Sequence, residues 1–348
     1  MKKTLFMLAA ASLAMTACTN TEEVEQGFAQ TSKQIGFVSH VNKNTRALGN
    51  KNFSKFAVFG SYITTTNATP VHIFNKVQVK KSEDAWTYDE PRYWIDGANY
   101  TFYAYSKENE TLFDDNRANG YTAFEAGNLT LTDYVVDGTT ENQKDLVFAS
   151  ATATGQEKNN ETVPFDFKHI LSKIRFQFES NFPEKYTVTI SNVKVTQIYD
   201  KADFTANTGI WGNVRKATES GASISATLDN STLPVENTKI ATSTEMYVLP
   251  LNYNATTSGK QFARVNFRLT VKNENKETVL ETDRFGSFAP NWEQGKAYQY
   301  KVKLNGSAAG LEQIEFAGTI GGEDNDGWAE GTDNNVNFEF GADVPANA

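Results

Sequence analysis

The chain is short of almost everything that announces catalysis. Its 348 residues include one cysteine and three histidines. Because Cys18 is the lone thiol, no intramolecular disulfide can form, and stability must come from packing and hydrogen bonds. His40, His72 and His169 stand far apart and lack metal-ligand spacing. There is no Gly-x-Ser-x-Gly, no phosphate-binding glycine loop and no His-Glu-x-x-His. Acids are plentiful, at 42, but pattern singles out no carboxylate pair. The expectation is therefore a non-enzyme with no catalytic residue, no metal and no cofactor. No basic patch stands out and the formal net charge is -9, which excludes nucleic acid as the expected partner. No fixed-period repeat of the solenoid kind is present. No segment shows a long apolar stripe at helical spacing. The uncharged apolar run from Leu5 to Met15 falls short of the about 20 residues that a membrane-spanning helix needs.

What is present begins with that run. Lys2 and Lys3 precede it and the small residues Thr16 and Ala17 follow it, the pattern of a secretory signal over residues 1–17. Met15-Thr16-Ala17-Cys18 resembles the bacterial lipobox, in which the thiol is acylated and the chain is cut just before it. Cys18 is thus the expected lipid anchor, and the outer membrane and cell surface are the expected location. Several acyl chains anchor stably where one would be marginal. The acidic pair Glu22-Glu23 resembles the surface-export signal of Bacteroidetes lipoproteins. Residues 18–33 are polar and read as a flexible leader.

The remainder reads as strands. Phenylalanine (24) and tyrosine (14) are frequent, which suits half-buried sheet surfaces. A first strand over residues 34–41 puts Ile35, Phe37, Ser39 and Val41 on one face, and a polar break covers 42–50. Residues 55–63 are apolar on both faces, as inside a packed sandwich. Residues 100–105 form the most aromatic strand. Trp86, Tyr88, Tyr93 and Trp94 fit either a sugar-stacking platform or a core, with the core favoured. In the second half, Ile174, Phe176 and Phe178 alternate with Arg175, Gln177 and Glu179. Val265, Phe267, Leu269 and Val271 alternate in the same way with Arg264, Asn266, Arg268, Thr270 and Lys272, giving a strand with one wet face.

Many short strands separated by turn signals predict an all-β architecture of two tandem sandwiches. The expected domains are 34–160 and 161–306, with a C-terminal appendage over 307–348. That appendage holds two strand-like pieces, 313–320 and 335–340. Between them, Gly322-Glu323-Asp324-Asn325-Asp326-Gly327 partly resembles a calcium loop. It lacks the first ligand and the bidentate glutamate, so a solvated turn is the reading.

Several motifs in order carry a wider resemblance. After the lipobox come Ile35-x-Phe37, Thr45-Arg46, Trp94 and Phe102-Tyr103-Ala104-Tyr105. Asp145-Leu146-Val147-Phe148-Ala149, Val163-Pro164-Phe165-x-Phe167-Lys168-His169 and Leu171-Ser172-Lys173-Ile174 follow. Tyr247-Val248-Leu249-Pro250 and Trp292-x-x-Gly295-x-x-Tyr298-x-Tyr300 close the series. Together they resemble the fimbrillin family of Bacteroidetes, the subunits of type V pili. The resemblance implies two transthyretin-like β-sandwich domains and export as a lipoprotein. It also implies cleavage by a trypsin-like protease after an arginine, here between Arg46 and Ala47. That cut removes the first strand and leaves a groove, which an extended segment of the next subunit fills.

The expected partners are therefore other pilus subunits, the outer membrane through the lipid anchor, and the processing protease. The replacement strand must offer apolar groups at period two. Val336, Phe338 and Phe340 are the expected donor row. Residues 313–320 are expected to stay with their own domain. A monomeric or tip lipoprotein that binds glycan or host protein without polymerising is the alternative.

Overall fold

The computed structural model of the chain describes residues 34–40, 53–83, 85–107, 120–155, 162–218, 222–228, 232–233, 240–253, 262–307, 310–311, 315–320, 328–330 and 339–342. All named elements are strands, as expected of an all-β chain. The first are β1 (Gly36–His40), β2 (Lys55–Ile63), β3 (Val71–Ser82), β4 (Ala85–Thr87), β5 (Asn99–Lys107), β6 (Tyr121–Glu125), β7 (Asn128–Val135), β8 (Leu146–Thr154), β9 (Thr162–Asp166) and β10 (Lys168–His169). Next come β11 (Ser172–Ser180), β12 (Thr187–Ile198), β13 (Lys201–Thr205), β14 (Ile210–Arg215), β15 (Ala222–Ser225), β16 (Thr232–Leu233), β17 (Ile240–Thr242), β18 (Met246–Val248) and β19 (Leu251–Asn252). The last are β20 (Ala263–Lys272), β21 (Thr278–Phe288), β22 (Asn291–Trp292), β23 (Lys296–Leu304), β24 (Gly306–Ser307), β25 (Gly310–Leu311), β26 (Glu315–Ile320), β27 (Ala329–Glu330) and β28 (Glu339–Ala342). Among the described residues, no helix is long and apolar enough to cross a membrane.

A six-stranded sheet ordered β10-β8-β5-β2-β3-β4 forms the centre of the first half. Successive side chains point to opposite faces of a strand. Phe56, Val58, Phe102 and Val147 thus enter one apolar cluster. Their neighbours Ala57, Phe59, Tyr103 and Leu146 enter another, which runs on into the second half. Both faces are buried, and that is why residues 55–63 carry no polar face. One face is covered by the two-stranded ladder of β1 and β9. A four-stranded sheet ordered β14-β13-β7-β6 covers the other, and both halves of the chain supply it.

Within this shared sheet β13 pairs antiparallel with β7, Lys201 opposite Val135 and Thr205 opposite Thr130. A charged knot closes the joint. The Asp133 amide donates to Asp203 Oδ1 over 2.7 Å, and Asn213 Nδ2 donates to Asp203 Oδ2 over 2.7 Å. Lys201 Nζ lies 3.0 Å from Asp133 Oδ1, and the Arg215 guanidinium reaches both carboxylates. The Lys201 bond, reinforced by Arg215, holds the Asp133 carboxyl below its ordinary range. Desolvation pushes Asp203 up, but the Asp133 amide, Asn213 and Arg215 outweigh it and hold this group low as well.

The second half is a sandwich of two sheets, β17-β11-β23-β26 and β15-β12-β20-β21-β28. Inward residues of the two layers meet in the middle, with Phe178 of β11 edge-on to Phe267 of β20 at 5.2 Å. The alternation expected in β20 holds: Val265, Phe267, Leu269 and Val271 are buried, while Arg268 on the outer face pairs with Asp283 over 2.8 Å. β9 and β10 still pack with the first core, since Val163, Phe165 and Phe167 share the cluster of Phe37 and β10 pairs with β8. Ile170 and Leu171 join the second cluster. We therefore draw the passage between the cores at His169–Ile170, later than the expected division at 160.

Candidate functional site

The site is built around β1. This strand runs parallel to β9, with Gly36 opposite Thr162, Phe37 opposite Val163 and His40 opposite Asp166. The ladder is weak by composition, because Pro164 stands opposite Val38 and has no N–H to give. Among the described strands, neither β1 nor β9 has another ladder partner. Side chains and a backbone clamp at Ile35 do the rest of the holding. Ile35 is fully buried and Phe37 is 4% exposed. The Phe37 ring stacks on Phe165 at 5.6 Å and meets Phe74 edge-on at 5.2 Å, with Phe102 at 6.1 Å. Burial of Ile35 and Phe37 is worth about 1.5–3 kcal/mol each, comparable to the whole ladder.

The floor of this seat depends on a bare backbone. A Cβ on Gly60 of β2 would stand 2.8 Å from the Phe102 ring and 3.1 Å from that of Phe74. Glycine there lets both rings settle against the sheet beneath Phe37. A clamp from the segment after β4 grips the backbone of the strand. The Ile35 amide donates to the Arg92 carbonyl over 2.8 Å, and the Tyr88 hydroxyl donates to the Ile35 carbonyl over 2.6 Å. Arg92 is fixed in turn by Nε donating to the Ile73 carbonyl over 3.0 Å. Burial raises the Tyr88 hydroxyl above the ordinary phenol range, against its hydrogen bonds, so it stays a donor at physiological pH. The arrangement holds the extended backbone at Ile35 and the apolar pair Ile35 and Phe37 of its own chain.

The aromatics near the clamp divide as core residues. Trp94 is 1% exposed, and Trp86 and Tyr88 pack against the same cluster as Phe37. Tyr93 alone of these is open, at 53% exposure, so they form no shared platform.

His169 is brought to Asp145, with Nδ1 2.7 Å from Oδ2 and both side chains almost wholly buried. The contact is close in distance but is not aligned as a hydrogen bond. Trp328 stacks on the His169 ring at 4.0 Å and closes it off. His72 stacks on Phe124 instead. Among the described residues, no group of three or more His, Cys, Asp or Glu side chains is placed to hold a metal ion. The pairing of Asp145, His169 and Trp328 had no signal in the sequence beyond the motifs that hold the first two.

Of the residues expected to act, Cys18, Arg46, Ala47, Val336 and Phe338 lie outside the described residues, as does the loop Gly322 to Gly327. The backbone of Phe340 is described: it lies in β28, opposite Gly286 on the edge of β21 of the same chain. β26 pairs antiparallel with β23, Phe316 opposite Val302. Both tail strands therefore sit on sheets of their own chain.

Comparison with known proteins places the chain. The profile of the fimbrillin-like family matches residues 45–322. No curated protein matches. Among solved structures, a candidate cell adhesion protein from Bacteroides ovatus is similar with 17% identity and a TM-score of 0.46, covering 83% of this chain and 97% of its own. Another from Bacteroides eggerthii has 15% identity and a TM-score of 0.45, covering 90% of this chain and 95% of its own. The fimbrial anchor protein Mfa2 from Porphyromonas gingivalis has 11% identity and a TM-score of 0.33, covering 83% and 98%. With the family profile spanning most of its length, the chain belongs to the fimbrillin-like family.

Proposed function

We propose that this chain is a structural subunit of a surface fimbria, supporting adhesion and joined to its neighbours by strand exchange at the seat of β1. The observation that carries the reading is that seat. β1 is laddered to β9 alone among the described strands, yet it fills an aromatic cavity with Ile35 and Phe37. A strand so attached can be withdrawn and replaced by any segment that offers a matching apolar row and a free backbone edge. In this reading the precursor is exported, anchored at Cys18 and carried to the cell surface. A trypsin-like protease then cuts between Arg46 and Ala47, and β1 leaves with the leader. The exposed edge of β9 and the rings of Phe165, Phe74 and Phe102 demand a partner, because an open, apolar sheet edge associates. The donor is the C-terminal row Val336, Phe338 and Phe340 of the next subunit. The two sandwiches, which meet at His169–Ile170, are the beads, and 307–348 is the connector.

Deleting residues 335–348 tests this. The truncated subunit should fold and reach the surface, while subunit ladders seen under mild heating collapse to monomer. Normal polymerisation of the truncated protein would remove the donor from this part of the tail. A second reading has one observation behind it: β26 and β28 already pair with β23 and β21 of their own chain. A subunit that keeps its tail at home is a tip or monomeric surface binder, and truncation would then leave its oligomeric state unchanged at monomer.

A further inference from the structure

Among the described residues, three short ladders and one side chain join the tail to the rest of the chain. β26 lies along β23, β28 lies along β21, and β27 touches only the start of β23, with Lys296 opposite Ala329 and Ala297 opposite Glu330. The side chain is Trp328, directly before β27 and 6% exposed. Its ring lies on His169 at 4.0 Å and 27° and on Tyr247 at 5.8 Å and 27°. Lys173 Nζ stands 5.2 Å from the ring centre, within cation–π range. His169 ends β10, Lys173 lies in β11 and Tyr247 in β18, so this one ring pins the tail where the two cores meet.

What lies beneath the ring gives the contact a second property. The His169 and Asp145 side chains are 2% and 3% exposed, and among the described residues no protein group is a hydrogen-bond partner of His169 Nε2 or Asp145 Oδ1. A buried polar atom without a partner costs free energy that contact with water would relieve. The seated ring gains stacking and burial but shuts those atoms off from bulk solvent. Its hold is thus strong in packing and opposed by the groups it covers.

We propose that Trp328 is a latch: its seat on His169 and Tyr247 keeps β27 and β28 on their own subunit, and its withdrawal hydrates the His169–Asp145 pair and lets those strands go. That the freed strands then serve a neighbour rests on the strand-exchange reading; the latch itself does not.

Hydrogen exchange on the full chain tests it. In Trp328→Ala, amides of residues 329–330 and 339–342 should exchange about tenfold faster or more, while those of β20 keep their protection, because local opening is read segment by segment. Trp328→Phe, which retains a stacking ring, should fall between Trp328→Ala and the wild type. Unchanged protection of residues 339–342 in Trp328→Ala would overturn the latch. So would loss of β20 protection together with β28 in both variants, which would make Trp328 an ordinary core residue. Assembly is read separately: tail opening in Trp328→Ala without faster polymerisation keeps the latch and counts against the donor tail.

Discussion

In the second half, the strands that carry the core are laddered on both sides: β20 lies between β12 and β21, and β23 between β11 and β26. In the first half, the wall that covers the Phe56 and Phe102 face of the six-stranded sheet is β1 on β9, a two-stranded piece held mainly by what Phe37 and Ile35 touch. The difference decides what each wall can do. A strand woven into a sheet leaves only when the sheet opens. A strand held by a row of side chains and a clamp is the one the proposed exchange would replace, since its place in the core does not specify its covalent origin. In the proposed reading, the first half is the part of the molecule whose core another chain completes.

The contrast can be broken most severely at Phe37. Phe37→Ala should cost about 3–5 kcal/mol by cavity formation in the seat, read by denaturant unfolding. Hydrogen exchange should show the loss in β1 and β9 first, with β20 spared; equal loss in β20 would mean the two cores do not differ. Next in size, Gly60→Val should push Phe74 and Phe102 into the space of Phe37 and cost about 1–3 kcal/mol by overpacking. Faster exchange of the Gly36–His40 amides would mark the seat as the place disturbed.

Tyr88→Phe removes the hydroxyl bond to the Ile35 carbonyl and should cost about 0.5–1.5 kcal/mol. It should loosen β1 without altering the second sandwich, which the same exchange map would reveal. The smallest effect is at the shared sheet. The folded-state pKa values of Asp133 and Asp203 are depressed, so the stability they lend is present above the ordinary carboxylate pKa near 4. It is lost as pH falls through their lower folded values. Protection factors of the β7 and β13 amides, corrected for the intrinsic slowing of exchange in acid, should therefore fall more steeply with acid than those of β20, and Asp133→Asn should flatten that difference.

How much of this was legible varies with the physical cause. β20 could be read residue by residue because one face is wet, and period-two alternation then has a single meaning. β2 could be read as doubly buried, but not what would bury it. The pairing of β13 with β7 joins residues 201–205 to residues 130–135, and an edge strand carries no mark of whose edge it meets. For the same reason the apolar row Val163, Phe165 and Phe167 could be placed on a strand but not in the first core. At the site, Ile35 and Phe37 were legible as the row of a first strand. The clamp from Tyr88 and Arg92 was not, because it works through carbonyl and amide groups that every residue has. Trp328 on His169 joins distant segments, and a lone tryptophan in a Gly-rich and Asp-rich tail shows no periodicity to follow.

The central claim is that β1 is a replaceable wall, and the N-terminal sequence of this protein in filaments sheared from the cell surface tests it most directly. Assembled subunits should begin at Ala47 and lack residues 34–41, with the seat of Phe37 refilled by a neighbour. Filaments whose subunits still carry residues 34–41 would contradict it.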